Sequence, residues 1–311
     1  MKTKYFAQLV ALSALWGASF LFIRMASPVF GPNVLAFLRV GMATATLAIL
    51  MRAMRQPWAW QHWRTLAIIG ALSVAAPFLL FAWAGLQLPA GYSALLNSTA
   101  VIFGMFASAR MGEDTITTRK VLGCVCGFAG VAFIVSLGPV QPSLTVVLAV
   151  LACVAASACY GFSAPITKQA VGHLQPLQIA AGIHALSLLM LLPGAAYSLP
   201  QAHFTLHALA AVAVMGIVTS GLAYWAHLRI LRHVTPVAAM SPIFMVPVFG
   251  VLWGRLFLGE TLGSGLLIGG ALVLLASLRI EPEPILTVCE QVGERLARAC
   301  GGRLTIRIDA A

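Results

Sequence analysis

Ala11-Leu12-Ser13-Ala14-Leu15-Trp16-Gly17-Ala18-Ser19-Phe20 and Ala155-Ala156-Ser157-Ala158-Cys159-Tyr160-Gly161-Phe162-Ser163-Ala164 are one motif written twice. Ala11, Ser13, Ala14, Gly17 and Ser19 recur 144 residues later as Ala155, Ser157, Ala158, Gly161 and Ser163, with Trp16 meeting Tyr160. At the same spacing Arg24 meets Lys168 and Pro32 meets Pro176. Further along, the spacing becomes 147: Pro89, Val101, Gly112, Glu113 and Gly123 meet Pro236, Val248, Gly259, Glu260 and Gly270. Small residues match by chance in so apolar a chain, so the prolines and the Gly-Glu pair carry more of the weight.

The 311 residues are 60% hydrophobic and only 9% charged. A soluble protein of this length carries about a quarter charged residues, so the surface here is suited to lipid. The net charge of +11 is not a nucleic-acid footprint, because Lys and Arg punctuate the apolar runs instead of forming one patch. Cys124, Cys126, Cys153 and Cys159 lie inside apolar runs, and Cys289 and Cys300 in a polar tail. Their spacing is not that of a zinc site. They read as small packing residues, and no metal or cofactor is expected. Met1-Lys2-Thr3-Lys4 and the apolar run after it resemble a signal peptide, but Arg24 closes that run without a cleavage motif. The segment is read as a retained first helix.

At roughly 20 residues per crossing, charges and breakers divide the chain into ten spans. Tyr5–Ile23 and Asn33–Met51 are the first two, the second interrupted only by Arg39. The uncharged stretch between Arg64 and Arg110 is broken at Leu88-Pro89-Ala90-Gly91 and yields spans three and four. Lys120 to Lys168, broken at Gly138-Pro139 and Pro142, yields spans five and six. Residues 177–197, 206–226, 234–254 and 261–278 complete the set. With the N-terminus in the cytoplasm, nearly every Lys and Arg falls inside, leaving only Arg24 and Arg255 outside. The expected fold is therefore all-α: ten transmembrane helices as two inverted five-helix repeats, N-in and C-in. Residues 1–138 form the first repeat, 139–280 the second, and 281–311 a cytoplasmic tail with a short helix. An odd number of helices per repeat inverts the second half, as in many secondary transporters.

Through residues 7 to 279 the sequence resembles the EamA family of the drug/metabolite transporter superfamily. The resemblance is carried by Leu15-Trp16-Gly17-Ala18-Ser19-Phe20 with Arg24, by Leu38-Arg39, and by Pro89-Ala90-Gly91. Ala94-Leu95-Leu96-Asn97-Ser98-Thr99 and the Gly112-Glu113/Gly259-Glu260 echo add to it. Ala100, where family members often have proline, and Tyr160, in place of tryptophan, depart from the pattern. The resemblance implies a central cavity and movement of small metabolites such as amino acids, often outward.

Arg39 lies inside the second span, where a charge costs a few kcal/mol unless paired or wetted. Either it faces a cavity and binds an anionic group such as a carboxylate, or it snorkels to an interface. No Asp or Glu lies deep in a span; Glu113, Asp114 and Glu260 sit where they offset helix N-termini. His184 is the deep group that titrates near neutral pH, either a packed core histidine or a proton-coupling residue. The expected substrate path comprises Trp16, Phe20, Arg39, Trp83, Asn97, Tyr160, His184, Tyr224, Met240 and Phe244. Pro242 and Pro247 in the ninth span and Pro77 in the third free backbone carbonyls, either as packing kinks or at a cavity. Trp58, Trp60 and Trp63 read as an interfacial anchor.

The functional expectation is a secondary transporter in the cell (inner) membrane, an exporter of small organic metabolites and not an enzyme. Its partners are a small-molecule substrate and the bilayer; the oligomeric state stays open, a monomer included. The alternatives are an integral-membrane enzyme on lipid-linked substrates, which needs a polar catalytic cluster the chain lacks, and a receptor or scaffold. No phosphate-cradling glycine loop is present.

Overall fold

The computed structural model describes residues 3–112, 115–137, 143–233 and 245–259, with residue 141 and scattered positions from 265 to 275. Among the described residues every regular element is helical. In chain order these are α1 (Thr3–Ala53), α2 (Trp60–Ala84), α3 (Ala90–Arg110), α4 (Thr118–Leu137), α5 (Leu144–His173), α6 (Pro176–Gln201), α7 (Leu206–Leu231) and α8 (Val246–Leu258). Six of them are long and apolar enough to cross a membrane, and α8 is a shorter apolar helix. Residues 234–244, Glu113, Asp114, Glu260 and the tail lie outside the described residues, and with them the expected site residues Met240 and Phe244.

The first element is long enough for two passes. Its apolar part runs Gln8–Ala53, 46 residues, or about 70 Å if straight, against a hydrocarbon core of about 30 Å. It is not straight. Gly31, flanked by Pro28 and Pro32, takes φ 71° and ψ 160°, a region essentially restricted to glycine. Ser19 and Arg39, about 30 Å apart along an unbroken helix, bond the neighbouring residues Thr219 and Ser220 of α7. The chain therefore doubles back at Gly31. Gly31→Ala is expected to cost about 2 kcal/mol, measurable as a lower melting temperature of the purified protein, although no atom lies within 4 Å of the added Cβ.

Between helices in lipid the hydrophobic effect gives little drive, so small residues that let backbones approach do the packing. These contacts repeat between the halves. A Cβ on Gly17 would meet Phe249 Cβ at 2.7 Å, Gly250 N at 2.9 Å and the Val246 carbonyl at 3.0 Å. One on Gly161 would meet Phe103 Cβ and Gly104 N at 2.5 Å and the Ala100 carbonyl at 2.8 Å. Gly216 sits on the Arg39 carbonyl and Gly70 on the Ile183 carbonyl, each 2.8 Å from an added Cβ. Arg24 donates to the carbonyls of Gly85 and Leu86 at the end of α2 (2.9 and 3.1 Å), and Lys168 to Leu231 O at the end of α7 (2.7 Å). Both cations satisfy helix C-termini, where they also meet the negative end of the dipole. The pairs Gly17/Gly161, Arg24/Lys168 and Arg39/Ile183 keep the 144 spacing. Gly70/Gly216, Gly85/Leu231 and Gly104/Gly250 are 146 apart, one fewer than the sequence match at Val101 and Val248. The left-handed glycines Gly112 and Gly259 (φ 74° and 63°) restore 147.

Two π-helical stretches also correspond, Ala71–Ala75 in α2 and Val214–Leu222 in α7. Pro77, which lacks an N–H and crowds the carbonyl four residues back, accounts for the first. Gly216 and Gly221 lie within the second. Outside the bundle, Trp58 and Trp60 stack with centroids 5.0 Å apart, and Trp60 and Trp63 are exposed.

Candidate functional site

A cavity of about 140 Å³ opens between α1, α2, α3, α5 and α7. Its lining falls into repeat-related pairs. Trp16 with Tyr160, Ser19 with Ser163, Phe20 with Ala164, and Ile23 with Thr167 come from the paired motifs of α1 and α5. Ser73 with Thr219, Phe78 with Tyr224, and Phe81 with His227 come from α2 and α7 at the 146 spacing. Ser73 and Thr219 both lie in the π-helical stretches, where widened backbone turns side chains inward, as π-bulges frequently do at functional sites. Arg39, Asn97 and Leu231 complete the wall.

The serine and threonine hydroxyls of this frame, and that of Tyr224, are spent on the protein itself. Ser19 Oγ donates to Thr219 Oγ1 (2.9 Å), which donates to Met215 O (2.9 Å). Ser73 Oγ donates to Ile69 O, Ser163 Oγ to Tyr160 O and Thr167 Oγ1 to Ser163 O, at 2.6 to 2.8 Å. The Trp16 indole N–H donates to Thr219 O (3.1 Å) and the Tyr224 hydroxyl to Ser73 Oγ (3.2 Å). Aromatic faces remain toward the cavity. Phe20 meets Phe81 edge-on at 5.2 Å, Phe81 stacks toward Tyr160 at 6.2 Å, and Trp16 meets His227 at 5.3 Å.

Arg39 is 6% exposed. Its Nε–H donates to Ser220 Oγ (2.8 Å), and its guanidinium lies 3.7 Å over the Phe78 ring. The chain's eight carboxylates lie at positions 113, 114, 260, 281, 283, 290, 294 and 309, and the described residues contain none. Asn97 ends the first segment of α3, where Ser98 and Thr99 turn their hydroxyls onto Leu95 O (2.6 Å) and Leu96 O (2.8 Å). Such local bonds compete with the helix and interrupt α3 beside the cavity. Asn97 Oδ1 is buried without a partner among the described residues.

The structure thus brings together Trp16, Phe20, Arg39, Asn97, Tyr160 and Tyr224. Two expected residues lie elsewhere. Trp83 is two residues beyond Phe81, about 200° around the helix, and packs half-buried against the neighbouring core. His184 is fully buried behind Tyr224 (ring centroids 5.4 Å), with Nδ1 bonded to Ala180 O of its own helix (2.8 Å). His227 takes the cavity position instead. It was missed because its repeat partner is Phe81 at a spacing of 146; carrying the motif match through α2 and α7 would have found it, together with Ser73, Phe78 and Thr219.

Apolar membrane-length helices, an internal duplication and one cavity shared by both copies define a multi-pass integral membrane protein of transporter build. The chain belongs to the EamA-like transporter family, which it matches over residues 4–136 and 147–280. A probable terminal-alkyne amino-acid exporter from Streptantibioticus cattleyicolor is 25% identical over 85% of this chain and 89% of its own. The uncharacterised inner membrane transporter YedA of Escherichia coli is 28% identical over 83% and 84%, and PecM of Dickeya dadantii 25% over 90% and 93%. One solved protein crystal structure superimposes with a TM-score of 0.68 at 16% identity, covering 90% of this chain and 99% of the other, a likeness of fold.

Proposed function

We propose that the protein is a secondary transporter that exports small organic metabolites by alternating access, with the α1/α2/α3/α5/α7 cavity as its binding site. In this reading the chain crosses the membrane ten times, N-in and C-in. Residues 1–138 and 139–280 are the inverted repeats, and 281–311 is a cytoplasmic tail. The supporting observation is the paired lining: seven positions of one half and their seven counterparts face the same cavity. Halves inserted in opposite senses exchange conformations, so a site on their pseudo-two-fold axis meets the same frame from either side. The substrate path comprises Trp16, Phe20, Arg39, Asn97, Tyr160, Tyr224 and His227. The exporter name of the Streptantibioticus relative favours outward movement of a small organic compound. No carboxylate stands within the described spans to build a metal-dependent catalytic centre.

The test is counterflow in proteoliposomes preloaded with a metabolite panel of amino acids, organic acids and amines. Saturable exchange of at least one compound, lost on Trp16→Ala, is expected. Exchange of none would remove the transport reading.

A further inference from the structure

Three lining residues stand outside the pairing: Leu231, whose counterpart is Gly85, is apolar, while Arg39 and Asn97 break it with polarity. The counterpart of Arg39 is Ile183, and that of Asn97, at the 146 spacing of its helix, is Ile243. At the paired positions the exchanges are milder: Tyr160 and His227 replace Trp16 and Phe81 with another ring, Ala164 stands opposite Phe20 without one, and the Thr167 hydroxyl opposite Ile23 is engaged by Ser163 O. The paired frame serves both conformations, whereas Arg39 and Asn97 present one particular chemistry from one half.

From this asymmetry we propose that Arg39 and Asn97 determine specificity and that the cavity selects organic monocarboxylates with a flat apolar body, in preference to zwitterions and cations. The proposal rests on the transport reading of this cavity. Ser220 and Phe78 fix the guanidinium from one edge and one face, with Nε–H engaged. No other hydrogen bond holds it among the described residues, so the Nη1/Nη2 edge presents parallel N–H donors, the geometry that grips a carboxylate bidentately. Among the described residues no carboxylate lines the cavity to balance an ammonium. An entering anion neutralises a buried charge, a zwitterion pairs its carboxylate but buries its own ammonium without a partner, and a cation is repelled. The Ser and Thr hydroxyls, the Trp16 indole and the Tyr224 hydroxyl of the frame are engaged, so the body of the ligand meets Trp16, Phe20 and Phe81 as faces beside the Tyr160 ring, with His227 Nδ1 a further buried atom that has no partner among the described residues. The uncommitted Asn97 amide is left for one neutral polar group. The volume, about 140 Å³, is close to the ~150 Å³ that holds a single benzene ring.

A matched series tests this on the purified full-length protein by isothermal titration at neutral pH: 3-phenylpropionate, phenylalanine and phenethylamine share a ring and chain and differ in charge. The anion is expected to bind about 10- to 100-fold more tightly than the zwitterion, whose carboxylate makes the same pair but whose ammonium is buried uncompensated, and the cation not measurably. Arg39→Gln should abolish that preference and Arg39→Lys retain part of it. A para-hydroxyl on the ring should tighten binding several-fold, and Asn97→Leu should remove that gain. Equal binding of anion and zwitterion, binding of the amine, or binding of none of the three overturns the proposal, and the wild-type comparison needs no variant to fold. Amine or amino-acid exchange in the proteoliposomes would leave the transport reading standing while this one fell. Anion binding without exchange of any compound would do the reverse.

Discussion

Gly161→Ala is expected to destabilise the protein by about 2–3 kcal/mol, and Gly17→Ala by nearly as much. An added methyl on Gly161 lands 2.5 Å from Gly104 N and 2.8 Å from the Ala100 carbonyl. These are backbone atoms of a neighbouring helix, so no side-chain rotation relieves the clash. Overpacking of this kind costs about 1–3 kcal/mol and sometimes more, against at most about 1 kcal/mol gained from the helix propensity of alanine. At Gly17 the neighbours are 2.7 to 3.0 Å away, a slightly milder version of the same contact. Gly172, which has nothing within 4 Å, is the control: Gly172→Ala should leave stability unchanged or raise it. Melting temperatures of the purified variants read the difference, at roughly 2–4 °C per kcal/mol for a chain of this general size. If Gly161→Ala melted with the wild type, the cross-half contact would not be the close one described.

Arg39→Met is expected to leave the melting temperature within a few degrees of the wild type while removing transport. A guanidinium buried in a span costs about 2.5–3.5 kcal/mol on insertion scales. Its bond to Ser220 Oγ returns about 1.5–3 kcal/mol and the Phe78 face about 0.5–2 kcal/mol, so the two sides nearly cancel. Methionine fills similar space without charge, and a stability change within about 1 kcal/mol is expected. Losing a buried charged contact to substrate costs about 3–5 kcal/mol, a fall of about 100-fold or more in kcat/KM for exchange. A stable protein with unchanged exchange would show that Arg39 is structural.

Much of this was legible from residues. The repeated Ser-Ala-x-aromatic-Gly-x-Ser motif named the faces of α1 and α5 that meet the cavity, because that spacing puts Trp16, Ser19, Phe20 and Ile23 on one helical stripe. Arg39 and Asn97 stood out as polar groups that hydrocarbon does not tolerate without a partner. The faces of α2 and α7 were harder to see. Their correspondence slips by two residues from the first motif, and Phe81 meets His227 without any identity to mark it. Trp83 is aromatic, yet its phase on the helix carries it away from Phe81, half-buried against the neighbouring core. His184 carries a titratable ring deep in its span. Only the fold shows that Tyr224 stands between it and the cavity and that its Nδ1–H is tied to its own helix. The π-helical stretches left no periodic signal, since Pro77 and Gly216 mark a backbone change without saying which way the following side chains turn.

The two halves are held to insert in opposite directions, and one pair of positions tests that directly. Gln61 and His207 are exposed at the starts of α2 and α7 and are repeat counterparts, 146 residues apart. With native cysteines replaced, Gln61→Cys and His207→Cys would be treated in intact cells with a membrane-impermeant maleimide. The predicted result is labelling of His207→Cys from outside and of Gln61→Cys only after permeabilisation. Labelling of both from the same side would contradict the inverted repeat and the alternating access built on it.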